Sequence, residues 1–308
     1  MRHVHPFRFG VTASWADSAT SWAALARRAE ELGYDVLLMP DHLGHQLSPI
    51  AALAAAATAT TRLRVGAFVF ANDYRHPLML AREAATLDLL SGGRFELGLG
   101  AGWATEDYRR LGMTYDRPGV RVDRLEESIT VVKRLLAGEA VDHTGRHYRL
   151  RGARVPTAPG HDRPRLMIGG GGPRMLHLAA READIVGLLP QFDARGRPML
   201  RQATGAATAR KVAILREAAG ERFERLELNV LVADAGLVDR RRPLGAVSSL
   251  SRAAAAGLAG TPYLLHGTLG RLCDLLTRRR DQLGISYYVF PARSMDAMAP
   301  LVQALAGR

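Results

Sequence analysis

Arg75-His-Pro-Leu-Met-Leu-Ala-Arg-Glu-Ala-Ala-Thr-Leu-Asp-Leu-Leu-Ser-Gly-Gly-Arg-Phe-Glu-Leu-Gly-Leu-Gly-Ala-Gly-Trp103 reads as helix, turn, strand and loop in succession. Pro77 suits a first helical position, where a missing N–H costs nothing, and alanine and leucine carry the helix to Leu90. Asp88-Leu-Leu-Ser91-Gly-Gly-Arg94 is a helix end and a tight turn into a short apolar strand, which runs out into Gly100-Ala101-Gly102-Trp103. That unit, a helix handing the chain to a buried strand, repeats in both directions along the sequence.

Working outward, strands are expected over 7–12, 36–39, 63–70, 94–98, 165–168, 185–188, 226–232 and 286–290. Helices are expected over 20–32, 49–59, 77–90, 120–136, 174–183, 206–219, 246–256, 269–283 and 295–305. Residues 139–163, rich in Pro, Gly and Arg, read as an irregular excursion. Runs such as Val36-Leu-Leu-Met39 and Tyr287-Tyr-Val-Phe290 are apolar throughout, as strands covered on both faces must be. Alternation of this kind makes a parallel sheet clothed in helices. A doubly wound sheet usually needs five or six strands. Eight units favour the closed (β/α)8 TIM barrel with insertions after several strands, as a single domain over 1–308.

The 308 residues accommodate one barrel of roughly 250 residues plus insertions. A 47% hydrophobic and 23% charged composition is ordinary for a globular chain and excludes disordered or collagen-like classes. No apolar run approaches the roughly 18 residues of a membrane span. The opening Met1-Arg-His-Val-His-Pro-Phe has no signal core, so a cytoplasmic protein is expected. The single cysteine, Cys273, excludes an internal disulfide framework and reads as a core residue.

The charge is +12, from 42 basic and 30 acidic residues. The densest runs, Arg240-Arg241-Arg242 and Arg278-Arg279-Arg280, lack interleaved aromatics, and the other arginines are scattered. An anionic small ligand therefore suits the charge better than nucleic acid, and neither nucleic acid nor membrane is an expected partner.

In a parallel barrel the loops after the carboxyl ends of the strands build the active site. That rule selects Pro40-Asp41-His42, Asn72-Asp73-Tyr74-Arg75-His76, Gly100-Ala101-Gly102-Trp103 and Gly169-Gly170-Gly171-Gly172-Pro173. The four glycines let backbone N–H groups approach a ligand, and a helix start behind them binds anions, phosphate above all. A tight turn without a ligand is the other reading. The spacing is not the dinucleotide fingerprint.

Histidine is the residue type that exchanges protons near neutrality, and His42 is the candidate proton donor or acceptor, against a purely structural histidine at the barrel mouth. Asp41 either caps the following segment or bonds a cofactor edge. Trp103 either walls a flat ring or packs under the next helix. His45 and His76 form no metal-binding spacing, so no metal is expected. No Gly-x-Ser-x-Gly elbow supplies a serine nucleophile.

The quoted stretch, together with 169–188 and 283–290, closely resembles the bacterial luciferase-like superfamily, and within it the branch using the deazaflavin coenzyme F420. The resemblance implies a TIM barrel, usually a homodimer, with His42 beside the reactive ring. It implies Asp41 near that ring, Phe68 and Val69 at a third-strand bulge behind it, and a non-proline cis peptide between those two. Gly100, Ala101 and Gly102 would line the ring, and Gly169, Gly170, Gly171 and Gly172 would hold the phosphate. In related sugar-phosphate dehydrogenases a glutamate follows the fourth-strand glycines. Here that place is Trp103, which argues against sugar-phosphate oxidation by that mechanism.

F420, with its phosphodiester and polyglutamate tail, also fits the basic charge. The expected function is hydride transfer between F420 and an activated C=C, C=N or carbinol carbon of a small organic, natural-product or peptide-derived substrate, as a reductase. The alternatives are an FMN-dependent two-component monooxygenase and a non-catalytic barrel that binds a flavin-like ligand. The excursions 139–163 and 190–205 are expected to shape the substrate pocket.

Overall fold

The computed structural model describes residues 5–157, 163–193, 197–237 and 260–308. In chain order the strands are β1 (Arg8–Thr12), β2 (Val36–Met39), β3 (Arg64–Ala67), β4 (Phe70–Ala71), β5 (Phe95–Gly100), β6 (Val141–Thr144), β7 (Arg149–Ala153), β8 (Arg165–Gly170), β9 (Ile185–Leu188), β10 (Glu227–Leu231), β11 (Asp234–Leu237), β12 (Leu264–Gly267) and β13 (Ile285–Pro291). The helices are α1 (Ala19–Glu31), α2 (Pro49–Ala59), α3 (Pro77–Leu90), α4 (Thr105–Arg110), α5 (Pro118–Leu136), α6 (Pro173–Glu182), α7 (Gly205–Ala219), α8 (Leu269–Leu283) and α9 (Met295–Leu305).

Pairing runs β1–β2–β3, then from β3 and β4 onto β5, and on through β8, β9, β10 and β13 back to β1, parallel at every step. With β3 and β4 forming one stave, eight staves close the expected barrel. Side chains alternate across each strand, so Val36, Leu38, Phe68, Met167, Ile185, Tyr287 and Val289 fill the lumen. Leu37, Met39, Val186, Tyr288 and Phe290 face the helices.

The amino-terminal end of the barrel is closed by charge. Arg8 pairs with Glu96 and, through Nη1, with Glu227 Oε2 at 2.8 Å. Arg64 Nε reaches Glu96 Oε1 at 2.9 Å, and Arg165 Nη1 reaches Glu227 Oε2 at 2.8 Å. Tyr287 donates to the remaining Glu96 oxygen at 3.3 Å.

Three expectations change. The excursion at 139–163 contains an antiparallel hairpin, β6 with β7. It is pinned by Glu127 of α5, whose carboxylate accepts from the backbone N–H groups of His147 and Tyr148 and pairs with His143. Only Val141, Leu150 and Ala153 of its strands are buried against the core, the other strand positions being exposed or half-buried. The strand expected over 63–70 is interrupted, with a cis peptide between Phe68 and Val69 as the resemblance implied. The short helix α4 and the parallel pair β11 with β12 were not expected at all. The helix expected over 246–256 and the Arg240–Arg242 run lie outside the described residues.

Candidate active site

All the loops singled out at the carboxyl ends of the staves meet in one cleft of about 560 Å³. Asp41, His42, Phe68, Val69, Gly100, Ala101, Gly102, Gly169, Gly170, Gly171 and Gly172 line it together. Tyr74 and Trp103 line it as well, whereas His45 and His76 do not. His45 packs on Trp15 with ring centroids 3.9 Å apart. His76 caps α3, its Nδ1 accepting from Leu78 N at 3.2 Å.

His42 is held by a residue the sequence did not bring forward. Its Nδ1 lies 2.7 Å from Asp107 Oδ2, and the other Asp107 oxygen accepts from Leu43 N at 3.1 Å. Asp107 sits on α4 and is buried. An ionised carboxylate only accepts, so Nδ1 carries the proton and Nε2 is left for chemistry in the cleft. Burial first, then the nearby Asp107 charge, pushes the Tyr74 phenol well up, so it remains protonated.

Asp41 is committed elsewhere. Its carboxylate accepts both Nη atoms of Arg75, at 2.6 and 3.0 Å, and the N–H of Ala71 at 3.0 Å. This bidentate pair braces β2 against the end of β4, next to the Phe68–Val69 bulge.

The glycines serve different ends. Gly102 adopts φ +74, and a Cβ there would collide with the Tyr108 hydroxyl. A Cβ on Gly100 would lie 2.6 Å from Val69 Cγ2, so the bulge and the fifth strand touch through bare backbone. The carbonyls of Ala101 and Gly102 accept from buried Arg121, whose Nε also donates to Asp116 O at 3.0 Å. Gly171 is required by packing, because a Cβ would strike the Leu189 carbonyl. Gly172 faces open space and caps α6 with no side-chain hydrogen bond, and no acidic residue occupies that helix's first turn. An uncapped helix start lining a cleft has free N–H groups for an anion.

Of the two excursions, only the second reaches this cleft among the described residues, through Gln191, Phe192 and Asp193. Phe192 stacks on Trp103 with centroids 4.5 Å apart and planes 15° apart, and Trp103 stands edge-on to His42 at 5.1 Å. The hairpin instead borders a separate polar cleft with Arg146, His147 and Tyr148. Asp107, Arg121 and Phe192 were missed as site residues. The acidic start of Thr105-Glu-Asp-Tyr was a legible helix signal; its partnership with His42, distant in sequence, was not. The described residues contain no cluster of three or more His, Cys, Asp or Glu suited to a metal, and no helix among them is long and apolar enough to cross a membrane.

A closed parallel barrel with its polar residues gathered at the carboxyl ends of the staves is a TIM barrel, with its candidate site where enzymes of this fold carry theirs. The chain belongs to the luciferase-like monooxygenase family, whose model matches residues 1–227. It is 33% identical over 188 residues to an F420-dependent glucose-6-phosphate dehydrogenase of Microbacterium testaceum, covering 58% of this chain and 55% of that one. It is 38% identical over 140 residues to a 4-hydroxyprotoasukamycin monooxygenase of Streptomyces nodosus subsp. asukaensis, covering 44% and 37%. The matches thus span about half or less of those relatives. The fold resembles that of the coenzyme F420 dependent tetrahydromethanopterin reductase of Methanopyrus kandleri, with a TM-score of 0.75, 18% identity, and 97% and 99% of the two chains covered.

Proposed function

We propose that the chain is an F420-dependent oxidoreductase that transfers a hydride between the deazaflavin and an activated C=C, C=N or carbinol carbon of a small organic substrate, acting as a reductase. The observation that carries it is the placement of three things around one cleft: the His42–Asp107 pair, the apolar bulge at Phe68-Val69 and the uncapped helix start at Gly172. A flat ring suits the bulge, where Val69 meets the side-chain-free backbone of Gly100 and Gly169. A phosphate suits Gly172. The names of relatives such as the Microbacterium testaceum dehydrogenase favour F420 over FMN, and the +12 charge would speed capture of an anionic coenzyme.

When bound, the deazaflavin supplies or accepts the hydride. The chain's own residues do the rest. Phe68, Val69 and the 100–102 loop would hold the ring, and Arg121 fixes that loop through the carbonyls of Ala101 and Gly102. Asp107 fixes the His42 tautomer and ring direction, as an orienting carboxylate does for a catalytic imidazole. In the reducing direction, His42 protonated on both nitrogens would give its Nε2 proton to the atom beside the carbon that takes the hydride, leaving the neutral Nδ1–H tautomer that Asp107 holds. Tyr74, held protonated by burial and by the Asp107 charge, lines the same cleft. A homodimer and a cytoplasmic setting belong to the same proposal, and the exposed Met79, Leu89 and Leu90 of α3 are apolar surface for such an interface.

Titration with F420 and with FMN, followed by quenching of ligand fluorescence, tests the reading. F420 is expected to bind at least about tenfold more tightly than FMN, a difference of about 1.4 kcal/mol. Tighter FMN binding would turn the chain into a monooxygenase candidate, and binding of neither would remove the coenzyme altogether. Sedimentation of the purified protein checks the dimer.

A further inference from the structure

We propose that the Trp103–Phe192 stack selects a neutral, flat, apolar substrate and that the cleft rejects phosphorylated ones. The inference rests on the proposed reading only in placing the substrate in this same cleft, beside His42. Trp103 comes from the loop after β5 and Phe192 from the loop after β9. Their rings are stacked at 4.5 Å, too close for a third ring between them. They therefore act as one continuous aromatic wall. Trp103 keeps 37% of its surface exposed, a large apolar face at the mouth of a cleft that a ligand would cover with gain.

The charges along the cleft point the same way. Among the described residues that line it, the charged side chains, counting His42 as the imidazolium that donates its proton, are Asp41, His42, Arg121 and Asp193, and each is already spent, His42 on Asp107 at 2.7 Å. Asp41 is locked to Arg75 at 2.6 Å, Arg121 to the carbonyls of Ala101, Gly102 and Asp116, and Asp193 to Arg197 at 2.9 Å. A substrate phosphate would bring its charge among two carboxylates with no unspent described side-chain cation to meet it, and an unpaired charge in a desolvated site is heavily penalised. The anion-binding helix start at Gly172 does not relieve this, since the coenzyme phosphate would hold it. A flat conjugated molecule lying on the wall meets His42 at its edge, because the His42 and Trp103 planes cross at 81°. Its carbonyl or imine atom is then the group nearest the imidazole, and the molecule needs no charged recognition.

The test compares probes of one shape and different charge on the F420-loaded protein. Equilibrium dialysis with 2-naphthol, 2-naphthyl phosphate and glucose 6-phosphate is expected to show 2-naphthol bound at least about tenfold more tightly than either phosphate. Phe192→Ala, which shortens the wall, is expected to weaken 2-naphthol about threefold to tenfold, the range of an aromatic pair. Trp103→Glu is expected to weaken it at least as much. Far-UV circular dichroism confirms that each variant is folded, and the wild-type comparison stands without the variants. Equal or tighter binding of the phosphates, or 2-naphthol affinity unchanged in both variants, would overturn the proposal. F420 titration in parallel separates the two claims. Loss of F420 binding with the naphthol preference intact, measured on the free protein, sinks the coenzyme reading alone, and the converse sinks this one alone.

Discussion

His42 Nδ1 and Asp107 Oδ2 stand 2.7 Å apart, and this contact joins the loop after β2 to the short helix after β5. It sets which face of the imidazole meets the cleft. The side chain of His42 is partly exposed while that of Asp107 is almost wholly buried, at 34% and 6%, so the carboxylate is a fixed support and the imidazole the working end.

His42→Ala is expected to leave folding and coenzyme affinity nearly unchanged and to lower turnover by about 10²–10⁴-fold, the range for a positioned acid or base. Asp107→Asn should cost less, about tenfold or more in kcat with KM little changed, and should alter the pH profile because the imidazole tautomer is released. Wild-type activity in His42→Ala would reduce the pair to a structural bond.

Gly172→Asp should keep the fold, since aspartate is a favourable N-cap and the site is open. The added charge should weaken coenzyme binding about tenfold or more in titration. Gly171→Val, by contrast, should lower thermal stability, because its side chain meets the Leu189 carbonyl. Unchanged affinity in Gly172→Asp would place the phosphate elsewhere.

Glu96 is wholly buried; burial alone would raise its pKa, but Arg8 and Arg64 outweigh it and hold the carboxyl below its usual value near 4.5. A carboxylate depressed on folding stabilises above the unfolded pKa, and that contribution is lost as pH falls through the lower folded value. Urea denaturation should therefore show a loss of stability below about pH 4.5 that is smaller in Glu96→Gln. At pH 7 this variant should be about 3 kcal/mol less stable than wild type, the cost of breaking a buried pair. Equal stability of the two proteins at pH 7 would count against the network's role.

Arg75→Lys should weaken coenzyme binding by a few fold with small loss of stability. Lysine keeps the charge but cannot make the bidentate bond to Asp41 that braces the chain at Ala71. Isothermal titration of wild type and variant decides it, and identical affinities would show that the brace does not reach the ring site.

The barrel was legible because its signal is local and repeated. Strands β2 and β9 and helices α2, α3, α8 and α9 begin and end where the apolar runs, prolines and glycines place them. The cleft residues followed from topology, since a parallel barrel puts strand-end loops together whatever their sequence. What was hidden depends on contacts between distant residues. Asp107 looks like any acidic helix start until α4 folds under His42. Glu127 looks like a solvated position on α5 until the hairpin closes on it. The glycine run showed the opposite failure: the sequence marked four equivalent glycines, yet Gly171 answers to a neighbouring carbonyl and Gly172 to open space.

The packed lumen of Val36, Leu38, Met167, Ile185, Tyr287 and Val289, with the ion network of Arg8, Glu96, Arg64, Arg165 and Glu227 beneath it, makes the cleft blind, open only at the carboxyl ends of the staves. Whatever sits deepest must arrive first and leave last. On the proposed placement of the ring at the bulge, with the substrate on the aromatic wall, steady-state kinetics should show an ordered sequence in which the product departs before the spent coenzyme.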